Sequence, residues 1–165
     1  MKISLEALIL LTERYKSIAE EKLKSADGER KEQLQLMVDT LGKVPFEGAS
    51  SLYEAIQSYI LLWQTMCLEQ APNPFAFSVG NADRIFEPYR NGLDRDTTAA
   101  LLKHFLVFFN VADRSWAISQ NIIVSGRDVD GNDLTNDTTY ALMDAYYETP
   151  YTYDMGDFET NFLGL

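Results

Sequence analysis

One cysteine and one histidine are all the thiol and imidazole chemistry this chain has to offer. Cys67 alone forms no internal disulfide and no Cys-x-x-Cys metal ribbon, and His104 alone makes no histidine cluster for zinc. Basic charge is scarce as well: 14 Lys and Arg stand against 25 Asp and Glu, a net charge of −11. Such a surface repels phosphate backbones and anionic lipid, so neither nucleic acid nor a membrane surface is expected as a partner. No apolar run approaches the roughly 20 residues that a bilayer span requires. The N-terminal MKISLEALILLTERY is interrupted by Glu6 and closed by Glu13. The expected compartment is therefore the cytoplasm.

What is present is enough for one core. The 165 residues, 46% hydrophobic and 12% aromatic, suit a single domain over 1–165. We divide it into a helical part (1–70), a βαβ-like part (71–148) and a divergent tail (149–165). From Leu5 to about Lys24, Leu8, Leu11, Tyr15, Ile18, Ala19 and Leu23 recur at helical spacing. Asp27 and Gly28 break that helix, and a second runs through Leu34, Met37, Val38 and Leu41 to Gly42 and Pro45. A capping box of Ser51 and Glu54 opens a third helix, expected to end near Glu69. Two prolines in APNP forbid helix there, so Phe75 to Val79 reads as a short buried strand. A helical piece near Arg84 to Tyr89, a long helix from about Asp96 to Asp113, a second strand at Asn121 to Val124 and a last helix from near Thr135 complete a βαβ unit. The expected class is α/β, mainly helical: a helical hairpin and long helices packed on that unit.

Single residues give no clear active site. Cys67, late in an apolar helix with no neighbouring His or Lys, reads as a buried inert thiol. His104 has Phe108 at its i+4 place and no ligand partner. Glu54, Glu69, Asp83 and Glu87 could serve as acid or base, although carboxylates on helices are usually solvated. The run SGRDVDGNDLTND invites comparison with a calcium loop. Counted from Asp128, however, glycine falls fourth at Gly131, the sixth place is Asp133 and the twelfth is Thr139, where an EF-hand needs glycine sixth and glutamate twelfth. An acidic connecting turn fits better, and no metal site is expected.

The order of segments is more specific than any one of them. LTERYKSIAEE, VPFEGASSLYEAIQSYILLW, FAFSVGNADRIFEPY and SQNIIVSGRDVDGNDLTNDTTYALMDA, in that order, resemble successive motifs of the glycyl radical enzymes, the pyruvate formate-lyase-like family. The resemblance covers about Leu5 to Ala145. Its structural motif positions are Gly80 and Asp83 in the GRxD-like strand, then Gln120, Asn121, Gly126, Asp128, Asp130, Gly131, Asp133, Thr135 and Asn136 in the acidic loop. It implies that this loop joins a barrel strand to its next helix, with Gly131 at positive φ and Thr135 capping that helix.

The resemblance further implies the first part of a ten-stranded β/α barrel in which a glycyl radical and a cysteine thiyl carry out radical lyase or dehydratase chemistry. Neither catalytic group can be placed on this chain, because Cys67 precedes the first barrel strand and the terminal FETNFLGL lacks the family's glycine motif. The chain is therefore expected to hold no cofactor itself. The family's radical is installed by a radical S-adenosylmethionine activase. The strand lining the family pocket maps to Phe75, Ala76 and Ser78, which the resemblance implies are substrate-facing positions. Phe75 and Ala76 stand where relatives place a His-Ser pair, Asn81 for the usual Arg, and Arg127 for the second glycine of a GG pair, departures that weaken a polyol or choline reading and leave the substrate open. After Ala145 the text departs from the family. The expectation is a truncated or partial member, not catalytically competent alone, or a stand-alone interaction module. Either is expected as a homo-oligomer or beside a partner supplying the rest of the barrel.

Overall fold

The structure, a computed structural model, describes residues 2–69, 78–111, 122–149 and the backbone of 162–163. Helix α1 (Lys2–Leu23) and helix α2 (Gly28–Leu41) pack along one another, as the hairpin reading requires. Gly28 takes φ +51° at the turn. It starts α2 instead of ending α1, because extended Asp27 occupies the N-cap. Leu8, Thr12 and Ala19 of α1 and Leu34, Thr40 and Leu41 of α2 are buried.

Helix α3 (Leu52–Glu69) begins where expected, yet its cap differs. The Glu54 N–H donates to the Ser51 hydroxyl at 3.3 Å. The Glu54 carboxylate does not return to Ser51. It accepts instead from Lys43 Nζ at 2.7 Å and from the Ser50 N–H at 2.7 Å, since the ammonium is the stronger partner.

Strand β1 (Gly80–Asn81) leads into α4 (Ala82–Phe86) and a 3₁₀ turn (Glu87–Tyr89). Helix α5 (Arg95–Val111), strand β2 (Ile122–Ile123), helix α6 (Asp137–Glu148) and strand β3 (Phe162–Leu163) follow. The strands pair in parallel in the order β1-β2-β3, with Gly80 opposite Ile122 and Ile122 opposite Phe162. The fold is thus mainly helical with a small parallel sheet.

The boundaries need correction. Of the first strand, expected at Phe75 to Val79, the described residues Ser78 and Val79 are not strand, and pairing is seen at Gly80–Asn81. The Ser78 hydroxyl accepts the Gly80 N–H at 3.0 Å, a local turn that delays pairing, and residues 75–77 lie outside the described ones. The second strand stops at Ile123 because Ser125 turns the chain at φ +54°. Thr135 does not cap α6. Its N–H and hydroxyl are both bound to Asp133 Oδ1, and extended Asn136 caps the helix by accepting from the Thr139 N–H at 3.0 Å. A third strand, β3, falls in the tail, where none was expected.

The core lies where α3, α4, α5 and α6 meet β2. Trp63, Phe86, Phe105, Phe109, Leu102, Ile122 and Leu142 are fully buried there. Phe105 stacks on Phe109 at 5.3 Å between ring centroids, and Tyr59 meets both Phe86 and Phe105 edge-on. Each such side chain contributes about 2 kcal/mol of apolar burial. Arg95–Asp144 and Lys103–Glu148 ion pairs tie α5 to α6 on the outside.

Candidate functional site

Two of the motif-bearing stretches, 80–87 and 125–139, meet at one buried carboxylate. Asp83, in the first turn of α4, is fully buried. Its Oδ1 accepts the Arg84 N–H at 2.8 Å. Its Oδ2 accepts the Ser125 N–H at 2.5 Å and the Thr139 hydroxyl at 2.6 Å. A buried carboxylate is tolerated only with such donors. The expectation that Asp83 is solvated on its helix is therefore overturned. Periodicity gave no warning, whereas the GRxD-like motif did.

Arg84 holds the same loop from the other side. Its Nη2 donates to the Ser125 carbonyl at 2.9 Å, so consecutive residues clamp both peptide groups of a non-glycine in left-handed backbone. Gly126, at φ +102°, lies so close that an added Cβ would stand 3.1 Å from Arg84 Nη2. Glu87, also expected in solvent, accepts the Thr138 N–H at 3.0 Å at the N-terminus of α6, where the helix dipole favours an anion. Arg90 Nη2 bonds Asp137 Oδ2 at 2.6 Å in the same place.

The acidic run is occupied by its own backbone. Asp128 Oδ1 accepts from the N–H groups of Asp130 and Asn132 at 2.9 Å each, and Oδ2 from the Asn132 side chain at 2.9 Å. Gly131 takes φ +83° and donates to the Asp128 carbonyl at 3.1 Å. These bonds hold the Asp128 carboxyl below the usual range, led by the Asn132 side chain. Asp133 is lowered likewise by Thr135. Among the described residues, no group of three or more His, Cys, Asp or Glu is placed to hold a metal.

Of the expected pocket positions, only Ser78 is among the described residues. Ser78 is exposed, while Phe75, Ala76, Gln120 and Asn121 lie outside the described residues. Cys67 is buried at 8% exposure, and burial pushes its thiol pKa up, which suits an inert core residue. His104 is exposed on α5. A groove of about 210 Å³ lies between α1 and the turn at Val44 to Phe46, lined by residues of the first two motif stretches, among them Thr12, Glu13, Lys16 and Pro45, and by none of the GRxD-like or acidic-loop positions. No described helix is long and apolar enough to cross a membrane.

Comparison with known proteins agrees with this geometry. The pyruvate formate lyase-like family matches residues 1–153. Trans-4-hydroxy-L-proline dehydratase of Clostridioides difficile is 28% identical over 90% of this chain and 21% of its own length. Isethionate sulfite-lyase of Desulfovibrio desulfuricans is 28% identical over 90% of this chain and 20% of its own. Among solved structures, the B12-independent glycerol dehydratase of Clostridium butyricum superposes with a TM-score of 0.78 at 25% identity, covering 87% of this chain and 20% of that one. The chain thus spans about a fifth of the length of these relatives. With a family match that covers the helical hairpin, the Asp83 clamp and the acidic loop alike, the chain belongs to the pyruvate formate lyase-like family.

Proposed function

We propose that this chain provides the helical shoulder and first parallel strands of a glycyl radical enzyme barrel of the lyase or dehydratase kind, and that it is not catalytically competent by itself. One observation carries the reading: a match over residues 1–153 that nevertheless spans only about a fifth of each relative. The described residues do not fit the radical machinery. Their one cysteine is buried in the core cluster that also holds Trp63, Phe105 and Phe109, with a raised pKa. In the full family a glycyl radical, installed by an activase, supplies the hydrogen-abstracting power. What this segment does is mechanical. Asp83 and Arg84 fix the loop after β2, and Glu87 with Asn136 fixes the start of α6, so that any further strand is laid against a rigid first edge. Ser78, beside that edge, is the described residue nearest to a pocket role. The partner is then a polypeptide carrying the rest of the barrel, in the cytoplasm.

Electron paramagnetic resonance tests this. The chain is incubated anaerobically with a family activase and S-adenosylmethionine, with and without a polypeptide carrying the remaining barrel of a relative. A glycyl doublet is expected only in the complemented sample. A doublet from the chain alone overturns the reading.

A second reading is a stand-alone interaction module that uses the family scaffold. It is favoured by the large apolar side chains left in solvent, among them Ile3 at 81%, Phe46 at 73% and Leu68 at 68% exposure, and by the outer edges of β1 and β3. Such a module would be a homo-oligomer.

A further inference from the structure

Asn91 and Gly92 fill the two central places of a tight turn before α5, and both take positive φ, +49° and +76°. The Leu93 N–H closes that turn on the Arg90 carbonyl at 3.0 Å. The Asn91 carboxamide reaches out of the turn and donates from Nδ2 to the Ser50 carbonyl, 41 residues away, at 2.5 Å. Ser50 lies at the entry to α3, where its N–H and hydroxyl both donate to Glu54 Oε2, at 2.7 and 3.0 Å. The Asn91 strap therefore joins the βαβ part to the helical part at their exposed rim, apart from the aromatic core that α3 and α5 share.

The same pair of residues is chemically labile. The chain has eight asparagines, and Asn91 alone precedes glycine. The Cγ of an asparagine can close a five-membered ring with the next backbone nitrogen, an intramolecular attack that needs no encounter. A side chain on the following residue would shield that nitrogen. Gly92 has none, is exposed, and an added Cβ there would meet nothing within 4 Å, so the turn is open to water on that side. Asn132 and Asn136 precede aspartates and are bound into the acidic loop and the α6 cap.

We propose that Asn91 is a site of spontaneous deamidation, and that the reaction severs the strap to Ser50. The Gly92 nitrogen attacks Asn91 Cγ. A bond forms between them, the Cγ–Nδ2 bond breaks, and Nδ2 leaves as ammonia with the proton that Gly92 loses. Water then opens the cyclic imide at either carbonyl, leaving aspartate or isoaspartate at position 91. The product has a carboxylate where the Ser50 carbonyl needs a donor, and it brings a second anion to Ser50, which already binds the Glu54 carboxylate. Two acceptors cannot share the bond, so the strap opens. In the isoaspartate form the main chain also gains a methylene inside the turn. The reaction involves neither radical chemistry nor the sheet edges, so it stands or falls apart from the function proposed above.

Mass spectrometry of the full chain, aged for several weeks at mildly alkaline pH and then mapped by trypsin, tests the site. The exchange of NH for O is expected in the peptide of residues 91–95 ahead of every other asparagine, and in no peptide of Asn91→Gly at that position. The pairs Asp27–Gly28 and Asp130–Gly131 can close the same ring but lose and regain water, so they leave the mass unchanged. Because the strap must open before the ring closes, the native chain is expected to react about two- to tenfold more slowly than the chain unfolded in guanidinium. Asn91→Asp carries the product's charge and tests the consequence. With folding verified by circular dichroism, its amide hydrogen exchange at residues 50–54 is expected to be about threefold or more faster than in wild type. A native chain in which Asn91 keeps its amide, or one that gains mass first at another asparagine, overturns the site. Equal native and unfolded rates, or an Asn91→Asp chain that exchanges like wild type at 50–54, overturn the strap.

Discussion

The carboxylate of Asp83 lies 2.5 Å from the backbone nitrogen of Ser125, a residue 42 positions away that sits at φ +54°. The bond joins the end of the first strand-to-helix connection to the start of the second. Asp83→Ala would leave the Ser125 and Arg84 N–H groups and the Thr139 hydroxyl without their acceptor. We expect a loss of about 3 kcal/mol, and a smaller one for Asp83→Asn, which keeps the shape but turns one acceptor into a donor. Urea unfolding followed by circular dichroism measures both. An Asp83→Ala protein as stable as wild type would show that water replaces the carboxylate at no cost.

Gly126 and Gly131 both take positive φ, but only Gly126 also faces a neighbour. Alanine at Gly131 meets open space and should cost about 1 kcal/mol of backbone strain. Alanine at Gly126 must in addition displace Arg84 Nη2, and its cost should be larger, about 2 kcal/mol. In an Arg84→Ala background the difference between the two should shrink. Equal costs in the wild-type background would contradict the close approach.

The Lys43 ammonium, with the Ser50 N–H, draws the Glu54 carboxyl from 4.5 down to about 2. A lowered folded-state pKa means that the carboxylate stabilises the fold above pH 4.5, and that this contribution is lost as pH falls from 4.5 toward about 2. Asp94, Asp128, Asp133 and Asp144 are lowered as well and act with the same sign. Glu54→Gln should therefore flatten part, not all, of the acid limb in a series of thermal unfolding midpoints from pH 6 to 2. A limb of unchanged slope would remove Glu54 from the account.

Calcium should not bind at micromolar concentration, since Asp128 already spends both oxygens on three donors and glycine and glutamate are absent from the EF-hand places. Isothermal titration should give only dilution heat. Micromolar binding lost on Asp128→Ala would reverse this conclusion.

The helices were legible because their signal is local. Leu8 and Ala19, or Leu34 and Leu41, repeat at the helical period whatever lies around them. The strands were legible only in outline. Their described stretches are two residues long, too short to alternate; β1 follows a local turn at Ser78, and β2 ends before Ser125, whose amide is held by Asp83 from elsewhere in the chain. Asp83 illustrates the same limit. Composition places an aspartate in a helix in water, and its burial follows from Ser125 and Thr139, which are 42 and 56 residues distant. Only the family motif, which ties GNAD to the acidic loop by text, pointed to that connection. The cap of α6 was missed by one residue because Asp133 claims Thr135 first.

The three strands lie side by side in the order in which the ribosome makes them, and all run the same way. Each new strand therefore finds its neighbour already emerged, and none has to be threaded between two that are paired. A sheet wired like this can be assembled vectorially, one strand-and-helix unit at a time, with the aromatic core between α3 and α5 complete before β3 leaves the exit tunnel.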